Sequence, residues 1–116
     1  GLWAIEVPNE NFAGICGIQP VSEVMEREPA MRGGLEVLAA LRPELWGRGL
    51  ATTAVKALAS HAGSGLGLTR LVAGVDAPNL ASHRLVQRCG FERIGSVPGL
   101  KHTLVLYELR LPPSSS

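Results

Sequence analysis

The stretch Pro43-Glu44-Leu45-Trp46-Gly47-Arg48-Gly49-Leu50-Ala51-Thr52-Thr53-Ala54 decides the fold. Its two glycines, one residue apart, stand where an apolar repeat of helical spacing begins. That repeat is Leu50, Ala51, Ala54, Val55, Leu58, Ala59 and Ala62, and Gly63-Ser64-Gly65 breaks it. Upstream, residues 35–42 alternate as a strand, with Leu35, Val37, Ala39 and Leu41 on one face and Glu36, Leu38 and Ala40 on the other. Downstream, Thr69 to Val75 has the β-branched and apolar content of a buried strand. Strand, helix and strand in this order predict a right-handed parallel crossover.

The flanks complete an α/β (α+β) fold. Leu2 to Val7 and Phe12 to Gln19 read as two antiparallel strands around a turn at Pro8-Asn9-Glu10-Asn11, and residues 20–34 as a connecting loop with room for one helical turn. Asn79 caps a second helix running to Cys89, and Gly90 stops it. Phe91 to Val97 and Thr103 to Leu111 close the sheet. The expected order is therefore β-β-β-α-β-α-β-β in one mixed sheet, a single domain over residues 1–111. A disordered tail is expected over 112–116.

A helix start leaves backbone N–H groups unpaired and carries partial positive charge, and glycine lets a phosphate come close to the main chain. The turn at Gly47 and Gly49 is therefore a candidate anion cradle. It lacks the Gly-Lys-Ser/Thr ending of a nucleoside triphosphate loop and the third glycine of a dinucleotide fingerprint.

Leu35 to Ala54, LEVLAALRPELWGRGLATTA, resembles the acetyl-CoA motif of GNAT acetyltransferases. Val75 to Gly95, VDAPNLASHRLVQRCGFERIG, is similar to the second motif of the branch acting on ribosomal-protein N-termini and related amines. The resemblance implies a GNAT-like N-acetyltransferase that moves an acetyl group from acetyl-CoA to a primary amine by direct attack on the thioester. A non-catalytic acyl-CoA-binding or partner-binding module is the alternative. Leu41, Trp46, Gly47, Arg48, Gly49, Leu50 and Ala51 are then expected on the cofactor's phosphates and arm, with Asn79 on the pantetheine and Arg84 beside the phosphates. The family's first motif position, Gln or Arg, falls on Glu44.

The same resemblance implies a backbone N–H near Leu38 and Ala39 at the thioester carbonyl. Glu36 becomes the candidate base for the amine, and Ser82, the serine of Asn-x-x-Ser, the candidate donor to the leaving sulfur. Other readings stay open: Glu36 as an exposed carboxylate or arginine partner, Ser82 as a first-turn residue bonding its own backbone. Many family members use a tyrosine as acid where this chain has Val86; Tyr107 is a weaker substitute. His61, His83 and His102 read as surface or capping residues, and no metal is expected.

With 116 residues, 18% of them charged, and a net charge of +1, the chain carries no basic surplus of the kind that attracts nucleic acid. No apolar run reaches the ~20 residues of a membrane span, so cytoplasmic residence is the expectation and no membrane partner is called for. Cys16 and Cys89 lack metal or redox spacing. The expected partner is a small-molecule or peptide amine. The family fold ordinarily opens with a strand and two helices that find no counterpart here, and a homodimer covering the first strand's edge is the corresponding expectation.

Overall fold

The computed structural model describes residues 2–7, 10–45 and 47–112. Trp46, the turn at Pro8-Asn9 and the tail from residue 113 onward lie outside the described residues. Strands β1 (Leu2–Val7), β2 (Glu10–Pro20) and β3 (Leu35–Leu41) come first, followed by helix α1 (Leu50–Ser64), β4 (Arg70–Asp76), α2 (Leu80–Arg88), β5 (Glu92–Pro98) and β6 (Thr103–Arg110). The strands form one sheet in the order β1-β2-β3-β4-β6-β5. Only the central pair, β3 with β4, is parallel; the other four pairings are antiparallel. The mixed α/β order expected from the apolar pattern is the one observed.

Each face of the sheet has its own cover because alternate residues point to opposite sides. Ile18, Val37, Leu71, Ala73, Val75 and Val105 pack under Val55, Leu58, Ala59 and Ala62 of α1 and Val86 of α2. Taking Val55 and Leu58 out of water contributes about 1.5–3 kcal/mol each. The opposite face buries Val72, Val97 and Leu106 against Val21, Met25 and Met31 of the loop between β2 and β3. That loop holds two 3-10 turns, Met25–Arg27 and Pro29–Met31, where one helical turn was expected. Periodicity fails there because each turn has a single wholly buried anchor, Met25 or Met31, while Glu26, Arg27, Ala30 and Arg32 beside them face water. Local bonds fix the turns. Ser22 Oγ accepts from the Met25 N–H at 3.3 Å, and Glu28 Oε1 accepts from the Ala30 N–H at 3.4 Å beside Pro29.

Helix α2 begins as expected, with Asn79 Oδ1 accepting the Ser82 N–H at 3.2 Å. It ends where Gly90 takes a positive φ and the Phe91 N–H returns to Val86 O at 3.0 Å, which lets Phe91 enter the core. No helix among the described residues is long and apolar enough to cross a membrane.

At the sheet's end Glu108 lies between two cations. Arg70 Nη1 donates to Oε2 at 2.8 Å and Arg110 Nε donates to Oε1 at 3.3 Å. The Arg70 hydrogen bond, above all, holds the Glu108 carboxyl below the usual carboxylate range. A lowered folded pKa stabilises the protein above the unfolded carboxylate value, and that contribution is lost as pH falls toward the folded one. Glu108→Gln is therefore expected to lower the urea midpoint at neutral pH and to flatten its decline into acid, as measured by denaturation at neutral and acidic pH.

Candidate active site

The parallel strands part early. The register of β2 with β3 runs over seven pairs, from Gly14 opposite Leu41 to Pro20 opposite Leu35, whereas β3 and β4 share one, Glu36 opposite Val72. Both strands then run on, so beyond Glu36 the main-chain groups of β3 that face β4 have no strand partner there. Backbone N–H and C=O groups left inside a sheet demand hydrogen bonds from something else. The gap opens at the carboxyl ends of parallel strands, where ligands of open α/β sheets bind.

At that open end the chain leaves β3 through the 3-10 turn Pro43–Leu45, anchored by Leu45 at 1% exposure, and enters α1. Gly47 and Gly49 take φ of 83° and 74°, a region side chains rarely adopt, and a Cβ on either would meet no protein atom within 4 Å. Space is kept open on the side of the missing side chains. Gly49 is the N-cap and supplies no side-chain cap, and the first turn of α1 carries no acidic residue. Thr53 spends both its N–H and its Oγ1 on Gly49 O, at 3.0 and 3.1 Å. The opening N–H groups of a 15-residue helix have no acceptor within the helix itself, and they lie under its positive end beside the space kept clear at Gly47 and Gly49, a donor set that fits a diphosphate. Glu44, at the family's Gln or Arg position, pairs with Arg42 at 3.3 Å, so its charge is balanced beside the turn.

Leu41 ends β3; Leu50 and Ala51 open α1; Arg48 stands exposed between the two glycines. Asn79 lies after β4, across the gap from the glycine turn. Glu36 shares a face with its partner Val72, away from the helices, and is half-buried. Burial pushes its carboxyl above the usual range, opposed by the Gln19 Nε2 donor at 3.4 Å. Ser82 belongs to the first turn of α2 on the helix face, and no hydrogen bond joins it to Glu36. Val86 is core, packed among the apolar side chains under α1 and α2.

Arg84, expected beside the phosphates, is exposed and lines a cleft with Gln87 and Arg93. One expectation changes. His83, expected at the surface or as a cap, is half-buried and bonded on both nitrogens: Nδ1 to Tyr107 Oη at 2.6 Å and Nε2 to Ala77 O at 3.0 Å. A carbonyl only accepts, so Nε2 carries the proton, and neutral Nδ1 then accepts from the Tyr107 hydroxyl. The chain Tyr107 to His83 to Ala77 clamps the turn that leads to Asn79. Ala77 is held from the other side by its N–H to Thr103 O at 2.8 Å. The available signal was Tyr107 itself, a phenol at an inward strand position, since a buried tyrosine hydroxyl needs a partner.

A model described as the acetyltransferase (GNAT) domain matches residues 1–92. A GNAT-family acetyltransferase structure from Bordetella pertussis is 28% identical, with a TM-score of 0.82, over 93% of this chain and 64% of that one. An N-acetyltransferase from Staphylococcus aureus Mu50 is 26% identical, with a TM-score of 0.75, over 96% of this chain and 67% of that one. A spermidine N-acetyltransferase variant from Vibrio cholerae shares the fold at 17% identity, with a TM-score of 0.74, over 94% of this chain and 63% of that one. The chain thus spans just under two thirds of the Bordetella protein's length.

The clamp makes a prediction about protons. Nitrogen-15 NMR of the ring is expected to find the Nε2–H tautomer at His83, and Tyr107→Phe to cost about 1 kcal/mol of stability, the worth of one hydrogen bond. An Nδ1–H tautomer would overturn the assignment.

Proposed function

The chain belongs to the GNAT acetyltransferase domain family, and on that premise we propose that it transfers an acetyl group from acetyl-CoA to a primary amine by direct attack on the thioester. One observation carries the reading: β3 and β4 part after a single pair, and the gap ends at a helix start held open by two positive-φ glycines. Acetyl-CoA supplies the activated thioester. The N–H groups from Gly47 to Ala51 bind its diphosphate, Arg48 adds charge, and Asn79 and the edge of β3 that faces the gap hold its amide-bearing arm. An N–H near Leu38 and Ala39 donates to the carbonyl oxygen as negative charge develops there. Glu36 takes the proton from the attacking amine, the Ser82 Oγ–H hydrogen-bonds the sulfur as it departs as a thiolate, and water protonates that thiolate while Glu36 returns its proton to solvent. Glu36 suits the base role because burial raises its proton affinity.

The acceptor is assigned only as an amine. Relatives named as N-acetyltransferases, one of them for spermidine, support that class, and the second motif supports the branch that acts on protein N-termini. A non-catalytic acyl-CoA-binding module is the second reading. It is favoured by Val86, a core side chain where many members have an acid, and by Glu44 at the motif's usual Gln or Arg position. Thiol release from acetyl-CoA with a panel of amines separates the two readings; binding without release selects the module.

Calorimetric titration with acetyl-CoA is expected to give saturable binding to the wild-type chain. Gly47→Val and Gly49→Val should each abolish it while leaving α1 folded, because the added side chain fills the open space and strains a positive φ. Unchanged affinity in both folded variants would remove the turn from the site.

A carboxylate base works deprotonated, so kcat/KM is expected to rise with pH through the Glu36 pKa, at a pH above the ordinary carboxylate range. Glu36→Gln should abolish that limb and lower turnover by about 10²–10⁴ while acetyl-CoA affinity holds. A pH–rate profile decides it, and an unchanged acidic limb in the variant would exclude Glu36 as the base.

A further inference from the structure

The acyl-transfer reading leaves unused a cleft of about 600 Å³ between α2 and the β5–β6 hairpin. It exists because α2 is only nine residues long and sets Val86 into the core without reaching across the edge strand β5. The overhanging stripe of α2 presents His83, Arg84 and Gln87, spaced as neighbours on one helix face. The floor is one face of β6, including Tyr107, and Arg93 stands directly opposite Tyr107 on β5. A volume of this size suits a small-molecule ligand.

Its charge is one-sided. Arg84 and Arg93 line it from the helix and from the strand, and no carboxylate lines it. Among the described residues neither guanidinium has an ion pair or a side-chain hydrogen bond, whereas Arg42, Arg70 and Arg110 each meet a glutamate. Two of the polar side chains that line it are already committed, Tyr107 to His83 and His83 to Ala77. The uncommitted donors are thus two arginines facing one cleft from opposite walls, the Gln87 amide beside them and the Thr103 hydroxyl on β6. Guanidinium forks match the oxygens of carboxylates and phosphates, and two forks across a cavity match a ligand with two negative charges.

We propose that this cleft is a second binding site, distinct from the glycine turn, for a small dianion clamped between Arg84 and Arg93 with Gln87 donating from α2. The shared chemistry is a pair of negative charges with acceptor oxygens, whether from a phosphate or from a dicarboxylate. This inference does not depend on the acyl-transfer reading, and neither does its test.

The test is backbone-amide NMR titration of the full chain with inorganic phosphate and, separately, with succinate. Saturable shifts are expected at Arg84, Gln87 and Arg93 with at least one of the two anions, and the one that saturates identifies the source. Phosphate is also expected to perturb Gly47 to Leu50, and the residue-by-residue readout keeps that turn apart from the cleft. Arg93→Ala removes one clamp, and Gln87→Glu offers both arginines a carboxylate of the chain itself. Each should weaken binding about tenfold, the scale of one charged hydrogen bond. Both positions are exposed, and unchanged spectra elsewhere verify the fold. Shifts confined to the glycine turn, or equal affinity in wild type and both variants, would overturn the proposal.

Discussion

The single register pair between β3 and β4 is the constraint on which the rest of the molecule depends. A parallel pair that separates after Glu36 and Val72 forgoes ladder hydrogen bonds in the middle of the sheet, where unpaired main chain is costly. The separation persists because the surrounding structure holds both strands independently. β3 is fixed by its seven-pair register with β2, and β4 by an equally long register with β6. Each strand is thus braced on its outer side, and the gap between them stays open.

The elements that leave the two strands meet at the carboxyl end of that gap. The chain exits β3 into the glycine turn and α1, and exits β4 into the Asn79 cap and α2, so two helix starts meet the same opening. Burial then differentiates the two sides. The helix face is filled by α1 and α2, while the opposite face is covered over its centre by Met25 and Met31 and leaves Glu36 half-buried beside Gln19. A carboxylate in that position is partly stripped of water without a cation to compensate, which raises its proton affinity. Glu108 lies on the same face with Arg70 and Arg110 beside it and is driven the opposite way. Two glutamates on one sheet face are thus driven in opposite directions, Glu36 by burial and Glu108 by its arginine hydrogen bonds.

How far the sequence could be read follows from the range of each determinant. The crossover, the caps and the glycine turn were legible because they depend on nearest neighbours and on short periods: the apolar repeat of α1, Asn79 before α2, and two glycines at a helix start. The 3-10 turns that cover the second face escaped because two isolated methionines make no period. Asn79 and Ser82 were readable at three residues' separation. His83 and Tyr107, whose bond spans 24 positions, were not.

By itself, then, the sequence determined the strand and helix order, the cap of α2 and the glycine turn at the start of α1. Tertiary structure alone decided where the side chains went. It parted β3 from β4, placed Glu36 and Ser82 toward opposite faces of the sheet, paired His83 with Tyr107 and turned Arg84 toward Arg93. The physical reason is that local conformation is set by each residue's own backbone and close neighbours, whereas register and helix overhang are settled only when distant segments compete for the same buried surface.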